Sequence, residues 1–332
     1  MRQEPKGRRV GMFDHILVPL DGSSLSECVV PHSFSLARAF GSKVTLLRVL
    51  ERTHADDRPG SIDPLYWHIS RTEAEAYLAG WAHRLEEGGV ETAHELLDGA
   101  VADQVVDFVR DHGIDLMMLS SHGQGGLSGW NVSGTVQKII LRAYVSVMIV
   151  RAYQPLEAGL PDIACRRLLL ALDGSMRAEC ALAPAVQLAR FFSCQLLVAC
   201  VVSKPEVTRH RPLTSEESDL IDKITSLNQL ETAGYLHRLS SRLSAEGIDV
   251  DTHLLTGVRV AEILQELVQQ EQADLVVLSA HGSSGVSKWP YGGLATNFIA
   301  YGTTPLLIIQ DLRAGNLLPT AAELAAQAHR PR

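Results

Sequence analysis

One pattern occurs twice in this chain and restricts its fold more than any other. The stretch His15-Ile16-Leu17-Val18-Pro19-Leu20 ends in Asp21-Gly22-Ser23, and Arg167-Leu168-Leu169-Leu170-Ala171-Leu172 ends in Asp173-Gly174-Ser175. Further on, Leu116-Met117-Met118-Leu119 opens into Ser120-Ser121-His122-Gly123, and Leu275-Val276-Val277-Leu278 opens into Ser279-Ala280-His281-Gly282. A short apolar run bounded by turn residues reads as a fully buried strand. The loops that follow are rich in Gly and Ser, so their backbone N–H groups are available to wrap a phosphate.

The two aspartates lie 152 residues apart (21 to 173) and the two histidines 159 apart (122 to 281). Most of the difference falls in one insertion ahead of Tyr235, the partner of Tyr77. The first copy is read as residues 12–152 and the second as 166–311. Residues 153–165, with Pro155, Gly159 and Pro161, read as a linker. Residues 312–332 form a tail in which Leu317, Leu318, Ala321, Leu324 and Ala325 are weakly amphipathic.

Composition narrows the classes. A 332-residue chain that is 46% hydrophobic and 20% charged has enough apolar material for a core in each half. A net charge of -8 argues against nucleic acid as the main partner. No run of about 18 apolar residues occurs, so no membrane span is expected. The first ten residues are basic without an apolar stretch, unlike a secretory signal. Cys28, Cys165, Cys180, Cys194 and Cys200 form no C-x-x-C pair, which fits a reducing cytoplasm.

Each copy alternates strand and helix. In the first, strands are expected at 16–20, 44–49, 94–97, 116–120 and 146–150, and helices at about 24–40, 72–86, 102–111 and 133–142. Pro31 and Pro184 fall inside the first helix of each copy, so that helix is expected to start late or kink. Alternation of this kind implies a parallel sheet covered by helices on both faces. Right-handed crossovers place the strands in the order 3-2-1-4-5. The fold class is therefore α/β, with two repeated, open, doubly wound five-stranded parallel sheets. Ligands bind beyond the carboxyl ends of such strands where the order reverses. The loops that meet there are Asp21-Gly22-Ser23 with Ser121-His122-Gly123, and Asp173-Gly174-Ser175 with Ala280-His281-Gly282.

These segments, from Leu17 to Ser23 and from Asp115 to Gly123, resemble the universal stress protein family, and the likeness spans nearly the whole chain as a tandem of two domains. The resemblance implies a Rossmann-like, adenine nucleotide alpha hydrolase-like fold. It also implies a regulatory or sensor protein that binds ATP or AMP, with magnesium as the companion ion. The nucleotide-binding branch carries G-x2-G-x9-G-[ST]. In the first copy this pattern falls on Ser120, Gly123 and Ser133-Gly134, and one extra loop residue makes the last pair Gly134-Thr135. In the second it falls on Ser279, Gly282 and Gly292-Gly293, so the final hydroxyl is missing. The first site implied is Pro19, Asp21, Val49, Ser120, His122, Gly123, Gly126, Ser133, Gly134 and Thr135. The second is Ala171, Asp173, Val201, Ser279, His281, Gly282, Gly285, Gly292 and Gly293, expected to bind more weakly. Family members often pair through strand five, which here would join Ser146–Val150 to 304–309 within one chain. A homodimer would then carry four domains.

Other readings remain open at this stage. Asp21 and Asp173 either contact an adenine or cap the next helix. His122 and His281 either order their own loops or take part in chemistry, and no cluster of metal ligands surrounds them in sequence. Trp130 and Trp289 either stack on a base or pack on the sheet edge. Cys28 and Cys180 are expected on the first helix of each copy, buried and inert. No G-x-S-x-G elbow is present, so a hydrolase triad is not supported, and a slow ATP hydrolase is the most that enzyme chemistry could claim. The rival to a nucleotide sensor is an interaction scaffold of the same fold that has lost its ligand.

Overall fold

The computed structural model describes residues 12–51, 64–124, 132–152, 163–204, 214–283 and 290–312. In the first half the elements are β1 His15–Pro19, α1 Val29–Phe40, β2 Lys43–Leu50, α2 Pro64–Glu87, β3 Thr92–Asp98, α3 Val101–Asp111, β4 Leu116–Ser120, α4 Gly134–Ala143 and β5 Ser146–Val150. The second half repeats them as β6 Arg167–Leu172, α5 Leu182–Phe192, β7 Gln195–Ser203, α6 Ser215–Ala245, β8 Val250–Gly257, α7 Val260–Gln270, β9 Leu275–Ser279, α8 Gly293–Tyr301 and β10 Leu306–Ile309.

The ten strands form one sheet in the order β3-β2-β1-β4-β5-β10-β9-β6-β7-β8. Within each half the pairs are parallel and run 3-2-1-4-5, because β1 lies between β2 and β4, and β6 between β7 and β9. The central strands β1, β4, β6 and β9 are buried almost throughout. That explains their continuous apolar runs, since a strand covered on both faces has no solvent side to mark with polar residues. One face carries α1, α2, α5 and α6 and the other carries α3, α4, α7 and α8, and each core runs unbroken through both halves.

The halves join where β10 lies antiparallel to β5, with Leu306, Leu307 and Ile308 opposite Ile149, Met148 and Val147. Each half thus covers what would be an exposed strand edge on the other. The antiparallel join also reverses strand direction, so the carboxyl ends of the two parallel sets face opposite ways. Side chains reinforce the seam. Gln187 Nε2 donates to Ala39 O at 2.7 Å, Tyr291 Oη to Val145 O at 3.3 Å, and Ser146 Oγ accepts from Gln310 N at 3.1 Å.

One expectation is met and two need adjustment. The first helix of each copy does start late: a 3-10 turn at Ser26–Cys28 or Ala178–Ala181 precedes it. Pro31 and Pro184 then stand third in α1 and α5, where a backbone N–H would have no partner inside the helix. Cys28 and Cys180 consequently sit on the 3-10 turns rather than on the helices, half-buried. Burial pushes both thiols up, Cys180 to about 11. Finally, α2 begins at Pro64 rather than near residue 72. Its early turns expose Leu65 and Ile69 and so carry no inward stripe that spacing could reveal. The insertion in the second copy lengthens this helix, from 24 residues in α2 to 31 in α6.

Candidate functional site

The order reverses beside β1 and β6, and there each aspartate joins two loops. Asp21 Oδ1 accepts from Ser23 N at 2.9 Å and Ser23 Oγ at 2.6 Å, while Oδ2 accepts from Gln124 N at 2.5 Å. Asp173 does the same with Ser175 N at 2.9 Å and Ser283 N at 2.6 Å. Neither carboxylate caps the following helix. Burial alone would raise both carboxyl groups. The hydrogen bonds outweigh it and hold Asp21 (through Ser23 and Gln124) and Asp173 (through Ser175 and Ser283) below the usual carboxylate range.

This clamp explains Gly123 and Gly282. A Cβ at either position would overlap the carboxylate Oδ2 of Asp21 or Asp173, so glycine here permits close approach rather than an unusual φ. Gly22 and Gly174, by contrast, adopt φ of 86° and 77°, the region that favours glycine. Ser120 and Ser279 stand where the family pattern has glycine. Each ends its strand without positive φ and turns its hydroxyl onto the carbonyl of His122 or His281, at 2.6 Å in both copies. Serine is therefore unstrained there.

The histidines are buried and held by complementary means. Ser121 Oγ lies 3.0 Å from His122 Nδ1 and accepts from Ala152 N at 3.0 Å. The second copy has Ala280 in place of Ser121, and Asp311 in place of Ala152. There Asp311 Oδ1 lies 2.6 Å from His281 Nδ1, with side-chain exposures of 5% and 1%, and Arg177 Nε lies 3.6 Å from the other carboxylate oxygen. The pair of exchanges keeps the ring nitrogen partnered in both domains.

The helix beyond each loop is tied to the strand. Ser133 N donates to Ser121 O at 2.9 Å, and Gly292 N to Ala280 O at 2.7 Å. Ser133 is the N-cap of α4 and accepts from Val136 N at 3.3 Å, while Gly292 caps α8 without a side chain. Gly134 and Gly293 open the two helices, with nothing within 4 Å of where a Cβ would stand. The first N–H groups of a helix have no partner inside it, and the positive end of the helix dipole lies behind them; in α4 Ser133 Oγ takes up that of Val136.

In the second domain these features enclose a cleft of about 1290 Å³, lined by Ala171, Asp173, Val201, Ser279, His281, Gly282, Gly292 and Gly293. All the described second-copy candidates are therefore brought together. Tyr291 and Leu294 also line it, although the loop pattern gave no reason to single them out. In the first domain Pro19 ends β1, Val49 lies near the end of β2, and Thr135 is the exposed second residue of α4. Gly126, Gly285, Trp130 and Trp289 lie outside the described residues, as does all of the tail beyond Leu312. Among the described residues, no three His, Cys, Asp or Glu side chains are grouped to hold a metal, and no helix is long and apolar enough to cross a membrane.

Two doubly wound α/β units joined in one sheet, each with an aspartate that ties two glycine-bearing loops together at its switch point, define a tandem α/β protein. The chain belongs to the universal stress protein family, whose family model matches it twice, over residues 12–151 and 164–310. A universal stress protein of Methanocaldococcus jannaschii is 25% identical over 142 residues, which covers 42% of this chain and 83% of the relative. The crystal structure of a universal stress protein from Archaeoglobus fulgidus superposes with a TM-score of 0.61 at 16% identity, covering 90% of this chain and 98% of that one. A putative universal stress protein from Pseudomonas aeruginosa gives 0.62 at 14% identity, covering 90% and 93%.

Proposed function

We propose that this chain is a regulatory member of its family that binds an adenine nucleotide, ATP or AMP, in the crevice of each domain. The observation that carries the reading is the convergence of all the described second-copy candidates on one cleft, at the mouth of which α8 presents a bare N-terminus. Val201 and Ala171, and Val49 and Pro19 in the first domain, supply an apolar wall for a base. The N–H groups at Gly134 and Thr135, or at Gly293 and Leu294, are the natural partners of phosphate oxygens; Gly292 N is already held by Ala280 O. Asp21 and Asp173 act by fixing the two loops against each other. With no ready set of metal ligands among the described residues, magnesium is expected to arrive on the phosphates.

The first domain is expected to bind more tightly. Thr135 presents a hydroxyl at the position where the second copy has Leu294. A hydrogen bond to a charged group is worth about 1.5–3 kcal/mol, and about 1.4 kcal/mol is tenfold in affinity. The test is to purify the protein, denature it and identify released nucleotide by chromatography and mass. An adenine nucleotide is expected, at up to about two per chain under the two-site reading. No nucleotide, together with no binding of added ATP and magnesium, overturns the proposal.

A further inference from the structure

Away from both crevices, two thiols separated by 29 residues meet in the second domain. Cys165 lies just ahead of β6 and Cys194 just ahead of β7, and their Sγ atoms are 3.9 Å apart. The register of β6 on β7, with Arg167 opposite Gln195, brings them together. Cys194 is fixed from the other side by the end of α5, where Ser193 is left-handed at φ 51° and Cys194 N donates to Ala189 O at 3.0 Å.

The repeat shows that this pair is a departure from the common scaffold. The matching residues of the first domain are Phe13 and Ser42, and Ser42 Oγ donates to Phe13 O at 2.6 Å. The first domain thus closes this corner with a hydroxyl on a carbonyl, and the second closes it with two sulfurs. Both sulfur-bearing residues are 5–7% exposed, yet Cys165 forms part of the wall of a cleft of about 500 Å³, and Ser193 and Gln195, on either side of Cys194, line the same cleft. A molecule as small as a peroxide fits that space.

We propose that Cys165 and Cys194 are a peroxide-responsive dithiol that forms a reversible disulfide, fastening the segment that enters the second domain to the turn between α5 and β7. The hydrogen bond from Cys165 favours the thiolate at Cys194, whereas the same bond and burial oppose ionisation of Cys165. Cys194 is therefore the attacking sulfur. Its thiolate displaces hydroxide from hydrogen peroxide, the O–O bond breaks, and Cys194 becomes a sulfenic acid. Cys165 sulfur then attacks the Cys194 sulfur, the S–O bond breaks, the S–S bond forms, and the Cys165 proton leaves with the departing hydroxide as water. In sum, two thiols and one peroxide give one disulfide and two waters. The thiols are oxidised by two electrons, and an external dithiol returns them.

The full chain, treated with a small excess of hydrogen peroxide and then denatured and alkylated, tests this directly. The expected result is loss of two of the five alkylatable thiols, a mass lower by two hydrogens, and one proteolytic cross-link joining the peptides that hold Cys165 and Cys194, all reversed by dithiothreitol. In Cys165→Ser the cross-link is lost, and a sulfenic acid at Cys194 is trapped by dimedone. In Cys194→Ser neither product forms. Five alkylatable thiols after peroxide, a cross-link through Cys28, Cys180 or Cys200, or irreversible oxidation of Cys194 without a cross-link would each overturn the proposal. Cys194→Ser copies the serine that the first domain already holds at this corner, and thiol counts on the wild-type chain decide the matter even if a variant misfolds.

Discussion

Arg151 offers a direct test of how the two domains are held as one body. It follows β5 in the first domain, is 8% exposed, and sends its guanidinium to the end of α8 in the second. Nη2 donates to Phe298 O at 2.8 Å, and Nη1 and Nη2 both lie 3.3 Å from Ile299 O. Carbonyls in the last turn of a helix have no intrahelical donor, and a cation there also meets the negative end of the dipole. Gly302 N also donates to Phe298 O at 2.9 Å, so Ile299 O depends more heavily on Arg151. Arg151→Met keeps most of the buried stem and removes the donors. Hydrogen bonds to a charged group are worth about 1.5–3 kcal/mol each. Relief from holding a charge in the interior returns part of that. The expected net loss is about 2–4 kcal/mol, read as a lower urea midpoint with an unchanged slope. Amide exchange at 298–302 should quicken more than exchange in α1. A loss below about 0.5 kcal/mol, the range of an ordinary surface substitution, would refute the reasoning.

Other outcomes follow from the same geometry. Gly282→Ala sets a Cβ against Asp173 Oδ2, and overpacking of this kind costs about 1–3 kcal/mol; a calorimetric scan with an unchanged melting temperature would count against the clamp. Ser133→Ala removes the cap on Val136 N and should cost about 1 kcal/mol, whereas Gly292→Ala, at a cap with no side-chain bond, should not lose a cap of that kind; paired denaturation curves compare them. His32 is pushed down from 6.5 to about 4 by burial. Its folded value lies below the unfolded one, so stability is intact above about 6.5 and is lost as pH falls toward about 4. At about 1.4 kcal/mol per unit that amounts to about 3 kcal/mol, and His32→Gln should flatten stability curves measured across this window. Asp21 and Asp173 are depressed as well. Their contribution holds above the usual 3.8 and disappears as pH falls through the lower folded values, so Asp21→Asn should weaken the protein at pH 7 and reduce its acid sensitivity below pH 4.

How much of this was legible in the sequence depended on whether the signal was local or repeated. Leu116–Ser120 and Ser146–Val150 were placed to the residue because fully buried strands leave unbroken apolar runs between turns. The strand order followed from chain connectivity, and Asp21 and Gly123 were marked as neighbours because the switch point joins their loops. The start of α2 leaves no periodic signal, because Leu65 and Ile69 in its first turns face solvent. For Asp21 the sequence leaves both ligand contact and helix capping open, since only the fold shows Gln124 N within reach of it. Asp311 has only a paired signal: aligning the copies sets Ser121 against Ala280 and Ala152 against Asp311, a double exchange that moves the histidine's partner from one residue to the other. Arg151 carried no local mark at all: its partners lie 147 and 148 residues away. The Cys165–Cys194 contact follows from strand register, which spacing alone does not give.

The most direct test of the central claim is equilibrium titration of ATP and of AMP, with magnesium, into the wild-type chain and into the Gly123→Val, Gly282→Val double variant, after circular dichroism has shown both to be folded. Saturable binding to the wild type, tighter at one site than the other and abolished in the double variant, is the predicted result. Equal binding by the two proteins, or none by the wild type after any resident nucleotide has been removed, would contradict the account.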